Sequence, residues 1–279
     1  MSEKRDTRRG LLMGTAALAG ETLAETGAAR RVASAKGQFH FLRGIAPYSS
    51  GAVAMAGVEV VHATLDPAPG WRRGFAIVDR HLKESGRPPQ ALCGVELRSP
   101  KPFSFAGFIA FNQGYIRALD ERGLLEDGLN PVARTNVAPE IGPPPEVALY
   151  GFSYTAPAEG ARRTFVVAGA GELAGERLDA GDIVRRGDLS QAGLASKAAH
   201  VLTLMDQRLA GLGVGWGDAT AVDVYTVHNI FHLLRRLLLP RLGPAARHGV
   251  RWHFARPPIE EIEFEMDVRG SARELVLAG

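Results

Sequence analysis

One order of strands and helices occurs twice along this chain, and each copy closes on the same pair of charges. Arg134 is followed twelve residues later by Glu146, and Arg251 is followed twelve residues later by Glu263. In the first copy, residues 39–44 alternate apolar and polar like a strand, and residues 53–61 read as a second strand. Residues 71–85 place Trp71, Phe75, Val78 and Leu82 on one helical face, and Gly86-Arg87-Pro88-Pro89 stops that helix. A buried strand at 92–97, a helix at 105–122, a strand opening at Arg134 and a strand from Glu146 to Tyr154 complete the unit. The second copy runs through a strand at 163–169, a helix at 193–212 and a strand at 221–227. A helix at 230–239 closed by Pro240, a strand at 251–254 and a last strand at 262–268 follow.

This order predicts an α+β fold of two tandem modules, each a curved mixed sheet with two helices packed on one face. The expected divisions are an N-terminal extension at 1–36, a first module at 37–155, a linker at 156–163 and a second module at 164–279. One face of each sheet is left for a second module or another subunit to cover.

Composition removes several classes of function. The chain has 279 residues, and the net charge of +3 arises within residues 1–36, which hold seven basic and four acidic residues. The remainder is balanced, which argues against a nucleic-acid-tracking groove. No apolar run is long enough to span a membrane. Cys93 is the single cysteine, so no internal disulfide forms, and its apolar surroundings predict a buried small hydrophobe. Thr7-Arg8-Arg9-Gly10-Leu11-Leu12 is similar to a twin-arginine export signal, with Ala33-Ser34-Ala35 as a cleavage site. The apolar stretch after it is short and ends at Glu21 and Glu25, which favours a helical extension of a cytoplasmic protein. A periplasmic location is the alternative.

The chemistry of the repeated pair is specific. An arginine grips a carboxylate through two parallel hydrogen bonds. A nearby glutamate orients a water or moves a proton. Arg134 and Arg251 are therefore candidate substrate-binding residues, and Glu146 and Glu263 candidate catalytic ones. His228 and His232 stand four apart, but no third ligand is evident, so a helix-surface pair is expected rather than a metal site. The glycines of residues 211–217 follow a helix and precede a strand, the reverse of a nucleotide-binding fingerprint, and predict a loop.

The motifs together resemble the RidA/YjgF family. The strand Ile262-Glu263-Phe264-Glu265-Met266-Asp267-Val268 after Arg251 is similar to that family's glutamate-rich strand, and Phe108, Asn112 and Tyr115 match its Phe-x3-Asn-x2-Tyr helix. The first copy has a single glutamate at its last strand, and its Arg-to-Glu turn is shorter than in single-domain members. The resemblance adds Asn112 and Tyr115 as substrate-binding candidates. It implies a homotrimer, a small-molecule carboxylate substrate, and no cofactor or metal. Among tandem members, residues 142–154 are most similar to the 2-aminomuconate and 2-amino-5-chloromuconate deaminases, implying hydrolysis of an enamine or imine with release of ammonia. A chorismatase-like hydrolase releasing pyruvate is one alternative, and a non-catalytic trimer that binds small acids is another.

Overall fold

The computed structural model describes residues 31–160, 162–175 and 178–279. The export-signal motif and the helical extension lie outside the described residues. Residues 31–36, assigned to that extension from sequence, are described, and four of them form a strand. In chain order the first half supplies β1 (Arg31–Ser34), β2 (Phe39–Leu42), β3 (Gly51–Ala54), β4 (Val58–Asp66), α1 (Trp71–Glu84), β5 (Leu92–Arg98), α2 (Phe105–Asp120), β6 (Ala133–Pro139) and β7 (Ala148–Pro157). The second half supplies β8 (Phe165–Gly171), α3 (Gln191–Leu212), β9 (Ala221–Tyr225), α4 (Phe231–Leu233), α5 (Leu239–Leu242), β10 (Arg251–His253), β11 (Ala255–Arg256), β12 (Glu265–Gly270) and β13 (Arg273–Ala278).

The strands form two mixed sheets. One has the order β1-β2-β3-β8-β12-β9-β10 and the other β11-β6-β5-β7-β4-β13. The four-strand orders β6-β5-β7-β4 and β10-β9-β12-β8 have the same pairing senses, parallel for the first pair and antiparallel for the next two. Around those strands the sheets cut across the division expected at 156–163. β1 to β3 from the first half extend the seven-stranded sheet, while β11 and β13 from the second half flank the six-stranded one.

Local chemistry explains where the elements differ from expectation. Residues 53–61 do not form one strand, because Gly57 takes a φ of 84° in the turn after β3. That conformation suits a residue without a Cβ, and it sends β3 into one sheet and β4 into the other. Pro240 does not close its helix. It stands inside a helical run, within α5 and directly after a π-helical turn at Leu234–Leu238. Proline has no N–H and crowds the carbonyl four residues back, and the wider turn relieves both problems.

Helices cover the outer faces. Trp71, Phe75, Val78 and Leu82 of α1 pack with Tyr115 and Leu119 of α2 against Leu65, Leu97 and Phe152. Ala198, Val201, Leu202, Met205 and Leu209 of α3 pack against Phe165, Val222, Met266 and Val268 of the other sheet. Each such large side chain contributes about 1.5–3 kcal/mol on full burial.

The inner faces meet each other, with β6 against β8. Part of this interface is apolar, built from Phe39, Phe41, Ala52, Val60 and Cys93. The rest is ionic. Arg269 reaches Asp223 at 2.9 Å, Glu274 at 3.2 Å and Glu96 at 3.6 Å. His62 bridges Glu96 at 2.8 Å and Glu274 at 2.6 Å. The hydroxyls of Thr135 and Tyr225 both donate to Asp267, at 2.7 and 2.9 Å. Burial alone would lower the His62 pKa, but the two carboxylates outweigh it and raise it to about 9. Burial and the charges of Asp223 and Glu96 push Asp267 up to about 8.

Candidate active site

Where β6 faces β8, a cavity of about 600 Å³ opens between the sheets, lined by residues of both halves of the chain. Arg134 and Asn136 enter from β6, Glu265 from β12, Arg208 from α3, and Tyr48 from the loop before β3. Leu173, Leu204, Ile259 and Ile262 supply apolar wall.

Arg134 is only 2% exposed. Its guanidinium carbon lies 4.7 Å from the ring centroids of Tyr48 and Tyr115, 5.3 Å from Phe108 and 5.9 Å from Phe111. These rings supply cation–π attraction of about 0.5–2 kcal/mol each, yet Nη1 and Nη2 have no hydrogen-bond partner among the described residues. Burial lowers the Arg134 pKa below its ordinary value, but a guanidinium stays charged in proteins. Two residues along the same strand, Asn136 accepts the Ser99 hydroxyl at 2.9 Å on its Oδ1, while its Nδ2 is also unpartnered. Buried donors are seldom left unpaired, and a buried charge is the most expensive of them. Three free donors at alternate positions on one strand therefore mark a place for an anion.

Glu265 supplies a different function. Its carboxyl occupies the space that a Cβ on Gly169 would fill, so glycine at that position keeps it in place. Burial, followed by the charge of Asp267 two residues along β12, raises its pKa well above the usual carboxylate range. The nearby Arg208 and Arg134 offset only part of that shift. Burial therefore favours the protonated form of Glu265, the form that can donate a proton to a bound molecule.

The residues singled out from sequence lie in different places. Arg134 is in the cavity. Tyr115 packs its ring on the Arg134 guanidinium from α2 and Asn112 is buried one turn earlier, so both stand behind the arginine rather than in the cavity wall. Glu146 is exposed in the bend before β7, against Gly70 at the start of α1. Arg251 is exposed on β10, the edge of the seven-stranded sheet. Glu263 precedes β12, half-buried and paired with His228 at 2.8 Å. Neither arginine is thus brought together with the glutamate twelve residues on. Glu265 and Arg208 were missed as candidates. Glu265 had a signal, because Glu263, Glu265 and Asp267 alternate along a strand whose other positions are Phe, Met and Val. Arg208 had none beyond its place beside the apolar stripe of α3.

Fold and site define an α+β protein with a cavity between two mixed sheets, in which unpartnered guanidinium and amide donors stand beside a buried carboxyl. Residues 31–275 match the family model described as 2-aminomuconate deaminase CnbZ, and the chain belongs to that family. A 2-amino-5-chloromuconate deaminase from Comamonas testosteroni is 40% identical over 244 residues, covering 86% of this chain and 96% of that protein. Among solved structures, a chorismatase aligns at 13% identity and a TM-score of 0.48, covering 88% of this chain and 80% of its own. A cyanuric acid hydrolase aligns at 11% identity and a TM-score of 0.34, covering 78% and 69% respectively.

Proposed function

We propose that this protein is a deaminase of 2-aminomuconate or a chloro derivative, converting the enamine to a 2-oxo acid with release of ammonia. Family membership and the 40% identical deaminase support the activity. The observation that carries the chemistry is the buried Arg134, without a hydrogen-bond partner for Nη1 and Nη2 among the described residues, in one cavity with Glu265, whose burial favours its protonated form.

Arg134 and Asn136 take the carboxylate next to the amino-bearing carbon, which fixes the enamine inside the cavity. Tyr115, Phe108 and Tyr48 hold the guanidinium plane. Glu265 gives its proton to an enamine carbon, and the nitrogen lone pair becomes the π bond of an iminium. Water adds to the iminium carbon and returns one proton to the Glu265 carboxylate. Collapse of the resulting amino alcohol expels ammonia, so one water is consumed and one ammonia and one 2-oxo acid are formed. The shared strand order of the two sheets is read as two copies of one RidA-like module, of which the first retains the arginine within a cavity.

The test is ammonia release from 2-aminomuconate generated in situ. Wild-type protein should release one equivalent. Glu265→Gln should lower kcat by about 10²–10⁴-fold, the range for loss of a general acid, with little change in KM. Absence of ammonia from the wild type, or full turnover by Glu265→Gln, would overturn the reading.

A further inference from the structure

The charges around the cavity exceed what one carboxylate needs. Among the described residues, its charged lining consists of Arg43, Arg134 and Arg208 against the single carboxyl of Glu265. A monoanion held by Arg134 would leave the Arg208 guanidinium facing no anion but Glu265, whose burial favours its protonated form. A dianion matches the two arginines set deepest.

Arg208 is built for this role in a way that Arg43 is not. Arg43 is exposed at the mouth. Arg208 is half-buried and fixed, with Nη1 donating to the carbonyls of Ala168 at 2.8 Å and Gly169 at 3.3 Å. Those carbonyls lie where the pairing of β8 with β12 slips by one residue, between Val167 and Ala170. A bulge of this kind frees backbone groups from the ladder and re-aims side chains. Here it anchors one edge of the guanidinium and leaves the other donors to the cavity. The apolar side chains of Leu204, Ile259 and Ile262 line the same cavity and suit a hydrocarbon chain.

We infer that Arg208 binds the second carboxylate of a dicarboxylic substrate whose first carboxylate is held by Arg134 and Asn136, so that the cavity selects diacids over monoacids of equal length. This rests on the reading of Arg134 under the proposed function. It adds a residue and a selectivity to that reading.

The experiment compares binding of muconate (hexa-2,4-dienedioate) and sorbate (hexa-2,4-dienoate) by calorimetry. The two differ by a carboxylate in place of a methyl group. Wild-type protein should bind muconate about 10- to 100-fold more tightly, the value of one charge-assisted pair. Arg208→Met should bring muconate to the level of sorbate and leave sorbate within about twofold, because no partner of the monoacid is removed. Arg134→Met should weaken both ligands. If Arg208→Met leaves muconate unchanged, or weakens both ligands equally, the inference fails while the role of Arg134 stands. If Arg134→Met changes neither, or if wild type binds neither ligand, the underlying reading fails with it. A thermal melt checks that Arg208→Met folds. If it does not, Arg208→Gln keeps a donor for the Ala168 carbonyl, removes the charge, and is held to the same outcomes.

Discussion

Two arginines are buried in the same sandwich a few strands apart, and their surroundings are opposite. Arg269 lies in the ionic seam between the sheets and meets Asp223, Glu274 and Glu96. Those carboxylates hold its charge firmly and raise its pKa although burial opposes them. Arg134 lies in the cavity with aromatic rings around it and no partner for Nη1 or Nη2 among the described residues. A buried cation whose neighbours neutralise it is a structural element. One left without an anion among the described residues keeps its binding capacity for something those residues do not supply. Burial alone does not separate these roles, since both side chains are nearly inaccessible.

The largest effects should come from exchanging each arginine for methionine, which keeps much of the volume and removes the charge. Arg269→Met takes the arginine partner from Asp223, Glu274 and Glu96, and breaking a buried pair in this way costs about 3–5 kcal/mol. A fall in Tm of roughly 10 °C is expected from that loss. Arg134→Met should leave Tm unchanged or higher and lower kcat/KM by about 10²–10³-fold, the scale of a lost charged contact to substrate. If the two variants share one phenotype, the contrast between seam and cavity is wrong.

A smaller effect concerns pH and belongs to the seam. His62 has a folded pKa of about 9, above the ordinary histidine value. Its contribution is complete below about 6.5 and is lost as pH rises through 9. Asp267 is raised to about 8, so ionising it costs stability as pH rises from about 4 towards 8. Both groups bind more protons folded than unfolded, and both slopes have the same sign. Thermal melts should show Tm declining between pH 6.5 and 9, and Asp267→Asn should flatten the part of the decline below 8. A Tm that rises across this range would contradict the arrangement.

The smallest effect separates Arg134 from Arg251, which occupy corresponding strands β6 and β10 and look alike in sequence. Arg251 is exposed on an edge strand, so Arg251→Ala should stay within about 0.5 kcal/mol of wild-type stability. Turnover should stay within about twofold of wild type, judged by the same stability margin. A large loss of turnover would assign Arg251 a working site of its own.

The parts legible in sequence were those that local periodicity decides. The helices at 71–85, 105–122 and 193–212 appear as α1, α2 and α3 with ends shifted by at most two residues, because an apolar stripe and a clear stop define each. Strand β5 was legible for the same reason. What failed depended on distant partners. Spacing along the chain placed Glu146 with Arg134, but the stiff turn at 142–145 leaves Glu146 on the surface, while β12 brings Glu265 to the cavity from the other sheet. Arg208 contributes through a bulge in a neighbouring strand, which no stretch of sequence around it reveals.

The exchange of strands between the sheets also bears on how the chain acquires its structure. β13 pairs in parallel with β4, joining Arg273 to Val61 and Ala278 to Asp66. The six-stranded sheet therefore lacks one edge until residues at the far end of the chain have been synthesised. Contacts of such long sequence separation slow folding. During translation the first half carries β1 to β3 before β8, their partner sheet's nearest strand, exists. Ribosome-bound chains truncated before Arg273 should thus be sensitive to protease at β4, and protection there should appear only when the last strand is released.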